Sequence, residues 1–423
     1  MKSSRGWLQA LGPGLLFAAA AVGVSHLVQS TRAGALYGLG LFGVLLLANL
    51  TKYPAFRFGP QYAAATGTSL LEGYRRQGKW ALWLYAALTL ATMFTVQAAV
   101  TFVTAALLAV TLGLKLSLIW VSALVLLSCA GLLWVGRYRW LDRVTKLLVG
   151  VLTLSTVVAT ILVLPRVSWG SIGDVAAPFT AGKESIVFIA AFMGWMPSAI
   201  DVAVWQSLWV LARGTDTGHA PSVRESMIDF HIGYIGTVIL AVCFMLMGAG
   251  VMFQTGRTFQ ESAPGFAGQV ISLYTETLGA WVRPIVGVSA FAVMFSTTLT
   301  VVDGFPRAIA VLVARFRGPE QAGHDEQQER PQRIAYWVAV SALLVGSLAV
   351  IALFLTSLKA MVDVATTLSC LTAPMLAILN HRAVTSDEVP PEGRPRPWLL
   401  WLSRASIVFL LVFAAGYLLV RYG

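Results

Sequence analysis

The sequence predicts an all-α membrane protein of eleven spans, arranged as two inverted sets of five plus one. Three observations carry this reading: the composition, the long apolar runs, and a matched pair of interruptions within them. Of 423 residues, 57% are hydrophobic and 12% charged, with mean hydropathy +0.75. Soluble domains carry about twice that charge. Runs of about 20 apolar residues are long enough to cross a bilayer. Eleven occur, at 10–36, 37–58, 81–110, 116–136, 143–165, 184–211, 226–252, 284–314, 334–357, 359–381 and 397–420. No cleavable leader is expected, because the first run is too long and continues.

The net charge of +11 does not mark a nucleic-acid binder. With the N-terminus inside, the cytoplasmic loops take 22 of the 30 Lys and Arg residues, among them the five from Lys52 to Lys79. The outer loops take seven: Lys115, Arg166, Lys183, Arg257, Arg283, Lys359 and Arg421. Arg32 falls within a run. This asymmetry is that of a bacterial plasma (inner) membrane protein with its C-terminus outside. Its partners are the lipid bilayer and a small solute, with no nucleic acid. Cys129, Cys243 and Cys370 all fall within runs and have neither metal-ligand nor disulfide spacing. They read as buried small hydrophobes.

The first run breaks at Gly23-Val24-Ser25-His26, and the sixth at Gly194-Trp195-Met196-Pro197-Ser198. Gly admits backbone conformations foreign to a helix, and Pro removes a donor and clashes with the preceding turn. In lipid, the freed backbone groups need partners, so such breaks belong where they are buried or line a cavity. Two breaks five spans apart fit inverted repeats, residues 1–166 and 167–382, followed by a linker and a last span, 383–423. Kinks that serve packing alone are the plainer reading. The polar stretches 315–333 and 383–397 read as linkers, and 253–283 as an outer segment holding a short surface helix.

LGPGLLFAAAA (11–21), AGALYG (33–38), the Met196-Pro197 pair and FSTTLTVVDGF (295–305) resemble the Nramp transporters of divalent metals. The likeness runs over nearly the whole chain, and it implies a LeuT-type fold. The family's DPGN metal motif falls on Gly23, Val24, Ser25 and His26, so its ligand Asp is Gly and its Asn is His. Its MPH motif falls on Met196, Pro197 and Ser198. The acidic pair of the third span is absent from MFTVQAAV, where Gln97 is the one strongly polar residue, and the tenth-span Gln falls near Thr366. A dehydrated divalent cation needs anionic or strongly dipolar oxygen. His26 and Met196 are softer ligands that suit copper or zinc better than manganese or magnesium; Asp201 is a third candidate metal ligand.

Ionisable residues at membrane depth are costly and usually functional. Asp201 reads either as a cation counter-charge or protonation site, or as the buried partner of Arg32. His26 could bind solute, carry a proton, or be a satisfied structural residue. Asp303 and Asp363 either serve transport or pair with basic neighbours. Asp229 and His231 are expected near the cytoplasmic interface. The hydroxyls Ser296, Thr297, Thr298, Thr300, Thr366, Thr367 and Ser369 either line a polar cavity or bond between helices. Trp195, with Trp205 and Trp209 beyond it, could hold an organic cation through its ring or simply pack.

The sequence therefore predicts a secondary transporter working by alternating access, with no cofactor and a possible coupling proton or ion. Its solute site is Gly23–His26, Gly194–Ser198 and Asp201; Gln97, Thr298, Asp303, Asp363, Thr366 and His231 are candidates for coupling or cavity lining. A cation is the leading solute, with an altered metal site that argues against standard manganese or iron transport, though hydrated Mg²⁺ would need fewer direct ligands. A small organic solute, or a sensor or assembly subunit without flux, are the alternatives. No phosphate loop, metalloprotease motif or nucleophile elbow suggests an enzyme.

Overall fold

The computed structural model describes residues 12–135, 138–255, 260–321, 329–354 and 357–422, with backbone alone at 138–146, 148, 149 and 254. Lys2, Arg5, Arg137, Arg257 and the middle of the 315–333 linker lie outside the described residues. The described residues form helices and turns and no strand. Seven helices among them are long and apolar enough to cross a membrane, or eight if the bent pair Pro13–Ala21 and Ser25–Tyr37 is one span. The remaining runs also fold as helices but fall short of that measure. Phe42–Thr66 carries Asn49, Lys52, Arg57 and Gln61, and Lys183–Trp195 and Asp201–Thr217 are each short.

Burial separates an inner set from a rim. The apolar stretches of Lys79–Leu112 and Arg283–Arg317 are 78% buried, and these two helices pack along each other. Those of Leu118–Val135, Arg330–Leu353 and Pro397–Tyr422 are 28% buried, so these helices turn their apolar surface outward to lipid. The first half-helix, Pro13–Ala21, is fixed by aromatic packing. Phe17 meets Phe56 edge-on at 5.2 Å and stacks on Tyr234 at 5.8 Å. Asp229 reaches its start and accepts from the Gly12 and Gly14 amides at 3.0 and 2.5 Å. A carboxylate there satisfies orphan donors and favours the positive helix end. Asp229 is buried there. The Ser222 hydroxyl and the Glu225 carboxylate form a reciprocal cap on Val223–Val251. The outer segment holds Ala263–Leu278, a longer and more buried helix than expected.

Both interruptions are present, each displaced from its predicted position. The first is confined to Val22 and Gly23, and Ser25–Ser30 continues as a π-helical turn. Such a turn keeps backbone bonds while rotating the side chains that follow. The second spans Met196–Ile200, with a cis Met196–Pro197 peptide, and Asp201 opens the next half-helix.

Beside the membrane helices, the Glu72 carboxylate is a hub on the short helix Leu70–Gln77. It accepts from Arg75 at 2.8 Å, Arg76 at 2.9 Å, Arg315 at 3.4 Å and the Glu320 amide at 3.0 Å. Burial alone would push its pKa up, but these donors outweigh burial and hold it below the usual value. Because the folded-state pKa is lowered, the stabilisation is present at neutral pH and is lost as pH falls through that depressed value. Glu72→Gln should therefore lower thermal stability at pH 7, and the gap to the unsubstituted protein should close on acidification.

Candidate functional site

The two interruptions face each other across a small cavity of about 30 Å³, bounded by Ala21, Val24, Ser25, Val96, Val100, Trp195, Ser198, Val202, Trp205, Thr297 and Phe305. That is room for one or two water molecules. Its polar groups are the hydroxyls of Ser25, Ser198 and Thr297 and the two indoles; no carboxylate lines it. Among the described residues, no group of three or more His, Cys, Asp or Glu side chains could hold a metal ion.

Larger cavities lie on either side. One of about 900 Å³ is lined by Val22 and Thr237 at its inner end and by Trp209, Arg213, Asp303, Arg307 and Arg333 further out. The other, of about 610 Å³, is lined by Arg32, Tyr37, Lys183, Glu261, Lys359 and Asp363. Arg32 donates to Asp363 at 2.8 Å and to the Gln29 amide oxygen at 2.9 Å, and its guanidinium lies 4.8 Å from the Phe188 ring centre. The suggested pairing of Arg32 with Asp201 is thus replaced by Arg32–Asp363. The reason is geometric: six residues past His26, Arg32 has passed the break and faces the opposite cavity.

The breaks release main-chain carbonyls, and the protein supplies donors to several of them. Thr297 donates to the Ala19 carbonyl at 2.7 Å, with Val22 O 3.4 Å away. The Ser25 hydroxyl lies 2.5 Å from Ala21 O and 2.8 Å from His26 Nδ1, while His26 Nε2 donates to Thr237 O at 2.9 Å. Lys52, reaching in from Phe42–Thr66, donates to Gly194 O at 2.6 Å and Ser198 O at 3.2 Å. Lys52 does not belong with the cytoplasmic loop charges: it is 1% exposed and its side chain ends at the break. A lysine inside the 37–58 run was the available signal.

The other predicted residues disperse. His26 faces the helix Val223–Val251 rather than the cavity. Asp201 is buried within electrostatic reach of Tyr85 and Tyr74, and its Oδ1 has no hydrogen-bond partner. Met196 is fully buried beside the cavity. Asp303 pairs with Arg307 at 2.9 Å and accepts from Tyr336 at 3.0 Å. Thr298 bonds Thr104 at 2.7 Å, Gln97 donates to Thr101 at 2.9 Å, and His231 meets the Tyr53 hydroxyl at 2.7 Å. Thr366 accepts weakly from Gln29 at 3.4 Å. Trp195 spends its N–H on Ser369 at 2.7 Å, whereas Trp205, edge-on to Phe305 at 4.7 Å, has an N–H with no partner. Of the helix 283–317 hydroxyls, Ser296 and Thr300 line the 900 Å³ cavity and Thr297 the central one.

Comparison with known proteins follows this geometry. The family model "Natural resistance-associated macrophage protein-like" matches residues 14–421. An uncharacterised protein of Pasteurella multocida strain Pm70 is 35% identical over 416 residues, covering 98% of this chain and 93% of that protein. Among solved structures, a manganese transporter of Eremococcus coleocola aligns over 100% of this chain and 90% of its own, with TM-score 0.71 and 14% identity. MhsT in complex with L-phenylalanine aligns over 97% and 98%, with TM-score 0.61 and 13% identity. At these identities the likeness is one of fold, and that fold is of the LeuT type.

Proposed function

Since the chain belongs to the Natural resistance-associated macrophage protein-like (Nramp) family of membrane transporters, we propose that it carries a small organic solute by alternating access, not a dehydrated divalent metal. The observation that carries this reading is the chemistry between the breaks. Hydroxyls, indoles and apolar side chains line the cavity, and the carbonyls of Ala19, Ala21, Gly194 and Ser198 already accept hydrogen bonds from the protein. A bare divalent ion there would lose its water and gain no anionic oxygen.

Residues 1–166 and 167–382 act as the inverted repeats, each beginning with an interrupted helix. The end bearing Arg213, Arg307 and Arg333 faces the cytoplasm of a bacterial inner membrane, in keeping with the positive-inside rule. The 900 Å³ cavity is then the inner vestibule and the 610 Å³ cavity the outer one. The Arg32–Asp363 pair closes the outer path, and Thr297 with the Val22–Gly23 bend closes the inner. The central cavity widens as the half-helices move. In this reading His26 carries the coupling proton from its position behind the first break. With neutral His26, the single Ser25 hydrogen faces two acceptors, Ala21 O and Nδ1. With Nδ1 protonated, each of these groups has its own partner.

Flux into proteoliposomes tests this reading, with Mn²⁺, Mg²⁺, amino acids and small amines as solutes. An organic solute should be carried while Mn²⁺ and Mg²⁺ stay at background, and Ser198→Leu, which fills the cavity, should abolish that flux. Mn²⁺ flux lost on Asp201→Ala would instead establish the cation reading, which one observation favours: the buried, unpartnered Asp201 Oδ1.

A further inference from the structure

We propose that the Lys52 ammonium is a tethered cation, filling a monovalent-cation site built from the Gly194 and Ser198 carbonyls of the second break. Gly194 lies in the last turn of Lys183–Trp195, where carbonyls have lost their helical donors and carry the negative end of the helix dipole. Such oxygens suit a positive charge, and discontinuous helices of transporters use them to hold coupling ions. Here the charge arrives on a side chain. Lys52 extends from Phe42–Thr66 into the protein interior, and its Nζ donates to both oxygens at 2.6 and 3.2 Å. A long lysine stem normally carries its head out to water. Lys52 does the reverse, with 1% of its surface exposed. A buried charge requires compensation. Among the described residues its hydrogen-bond partners are main-chain dipoles and no carboxylate. An ammonium held only by carbonyls has the ligand chemistry of a bound monovalent cation.

The inference deepens the transport reading and rests on it for one consequence: the chain brings its own cation to the second break, so flux needs no added Na⁺ or K⁺. The ligand class that an emptied site would take is a small monovalent cation, a primary alkylammonium above all.

The test uses the purified full chain in detergent and follows thermal unfolding. The unsubstituted protein should unfold at the same temperature in choline, Na⁺, K⁺ and Mn²⁺ salts of equal ionic strength. Lys52→Ala should unfold at a lower temperature and recover at least half of the loss in n-butylammonium chloride. Neither n-butanol nor choline should restore it. Lys52→Met, which keeps the stem and removes the charge, should be as unstable as Lys52→Ala. The proposal is overturned if Lys52→Met matches the unsubstituted protein, or if butanol restores Lys52→Ala as well as butylammonium does. Should the Lys52 variants fail to fold, the unsubstituted protein still decides. Saturable stabilisation by Na⁺, K⁺ or Mn²⁺ that protects Gly194 or Ser198 amides from hydrogen exchange would place a free cation where Lys52 is assigned, and would overturn the inference. Absence of any solute flux would remove the transport reading and leave these binding results standing. Flux that persists unchanged in Lys52→Met would leave transport standing and remove Lys52.

Discussion

Gly194→Ala should destabilise the protein by about 3 kcal/mol, the upper end for overpacking, because nothing around the added methyl can yield. A Cβ at Gly194 would lie 1.9 Å from the Thr366 carbonyl oxygen and 3.1 Å from the Cys370 amide nitrogen. Both are main-chain atoms of Leu358–Val384, so the half-helix Lys183–Trp195 must back away as a unit. That shift would also pull the Gly194 carbonyl off Lys52. Gly236→Ala is the matched control. Nothing lies within 4 Å of its Cβ position in Val223–Val251, and removing a helical glycine should be neutral or stabilising by about 1 kcal/mol. Chemical denaturation in detergent, comparing the two variants at equal protein concentration, checks both signs.

Arg32→Leu should cost about 3 kcal/mol for a different reason. The pair it breaks is buried, with 5% of the Arg32 side chain and 18% of Asp363 exposed. Removing one member leaves Asp363 and the Gln29 amide oxygen without their charged donor, which costs more than the pair contributes. Arg32→Leu with Asp363→Leu should recover most of the loss, since two apolar residues need no partner. A double-mutant cycle measured by thermal and denaturant unfolding would show this as a strong non-additive term. The same double change should loosen the outer closure.

Much of the architecture was legible because hydropathy is read one segment at a time. The long inner helices Lys79–Leu112 and Arg283–Arg317 and the rim helix Pro397–Tyr422 announce themselves as apolar runs. The interruptions were visible as Gly and Pro, but their edges were not. Ser25 and His26 look like part of a break, yet a π-helical turn keeps their backbone bonded and continuous with Thr31–Tyr37. The hydroxyls at 296–300 read either as cavity lining or as bonds between helices, and both occur. A helix distributes successive residues around its axis, so Thr297 reaches the centre, Ser296 and Thr300 the vestibule, and Thr298 its neighbour Thr104.

The pairings were beyond a single sequence. Arg32 and Asp363 are 331 positions apart, and Lys52 and Gly194 are 142 apart. Asp201 follows the break closely, which makes it a candidate either for a charge facing the solute or for a buried partner of Arg32. It opens a new half-helix and is buried, and it is not among the residues lining the central cavity. A charge total by loop does not separate Lys52 from its basic neighbours, although it sits inside the 37–58 apolar run. Met196, expected as a metal ligand, is fully buried, and the Gly194 and Ser198 carbonyls of the second break accept from Lys52.

In the proposed cycle, one cavity between the two breaks opens to each side in turn. Reactivity of Ser198→Cys toward a membrane-impermeant thiol reagent, applied separately to right-side-out and inside-out vesicles, tests it most directly. The natural cysteines, Cys129, Cys243 and Cys370, are buried and provide a low background. The introduced thiol should react faster from the cytoplasmic side, and adding Arg32→Leu with Asp363→Leu should raise its outer reactivity while lowering the inner. A thiol that reacts from neither side, or whose ratio of inner to outer rates is unmoved by opening the outer pair, would contradict the account.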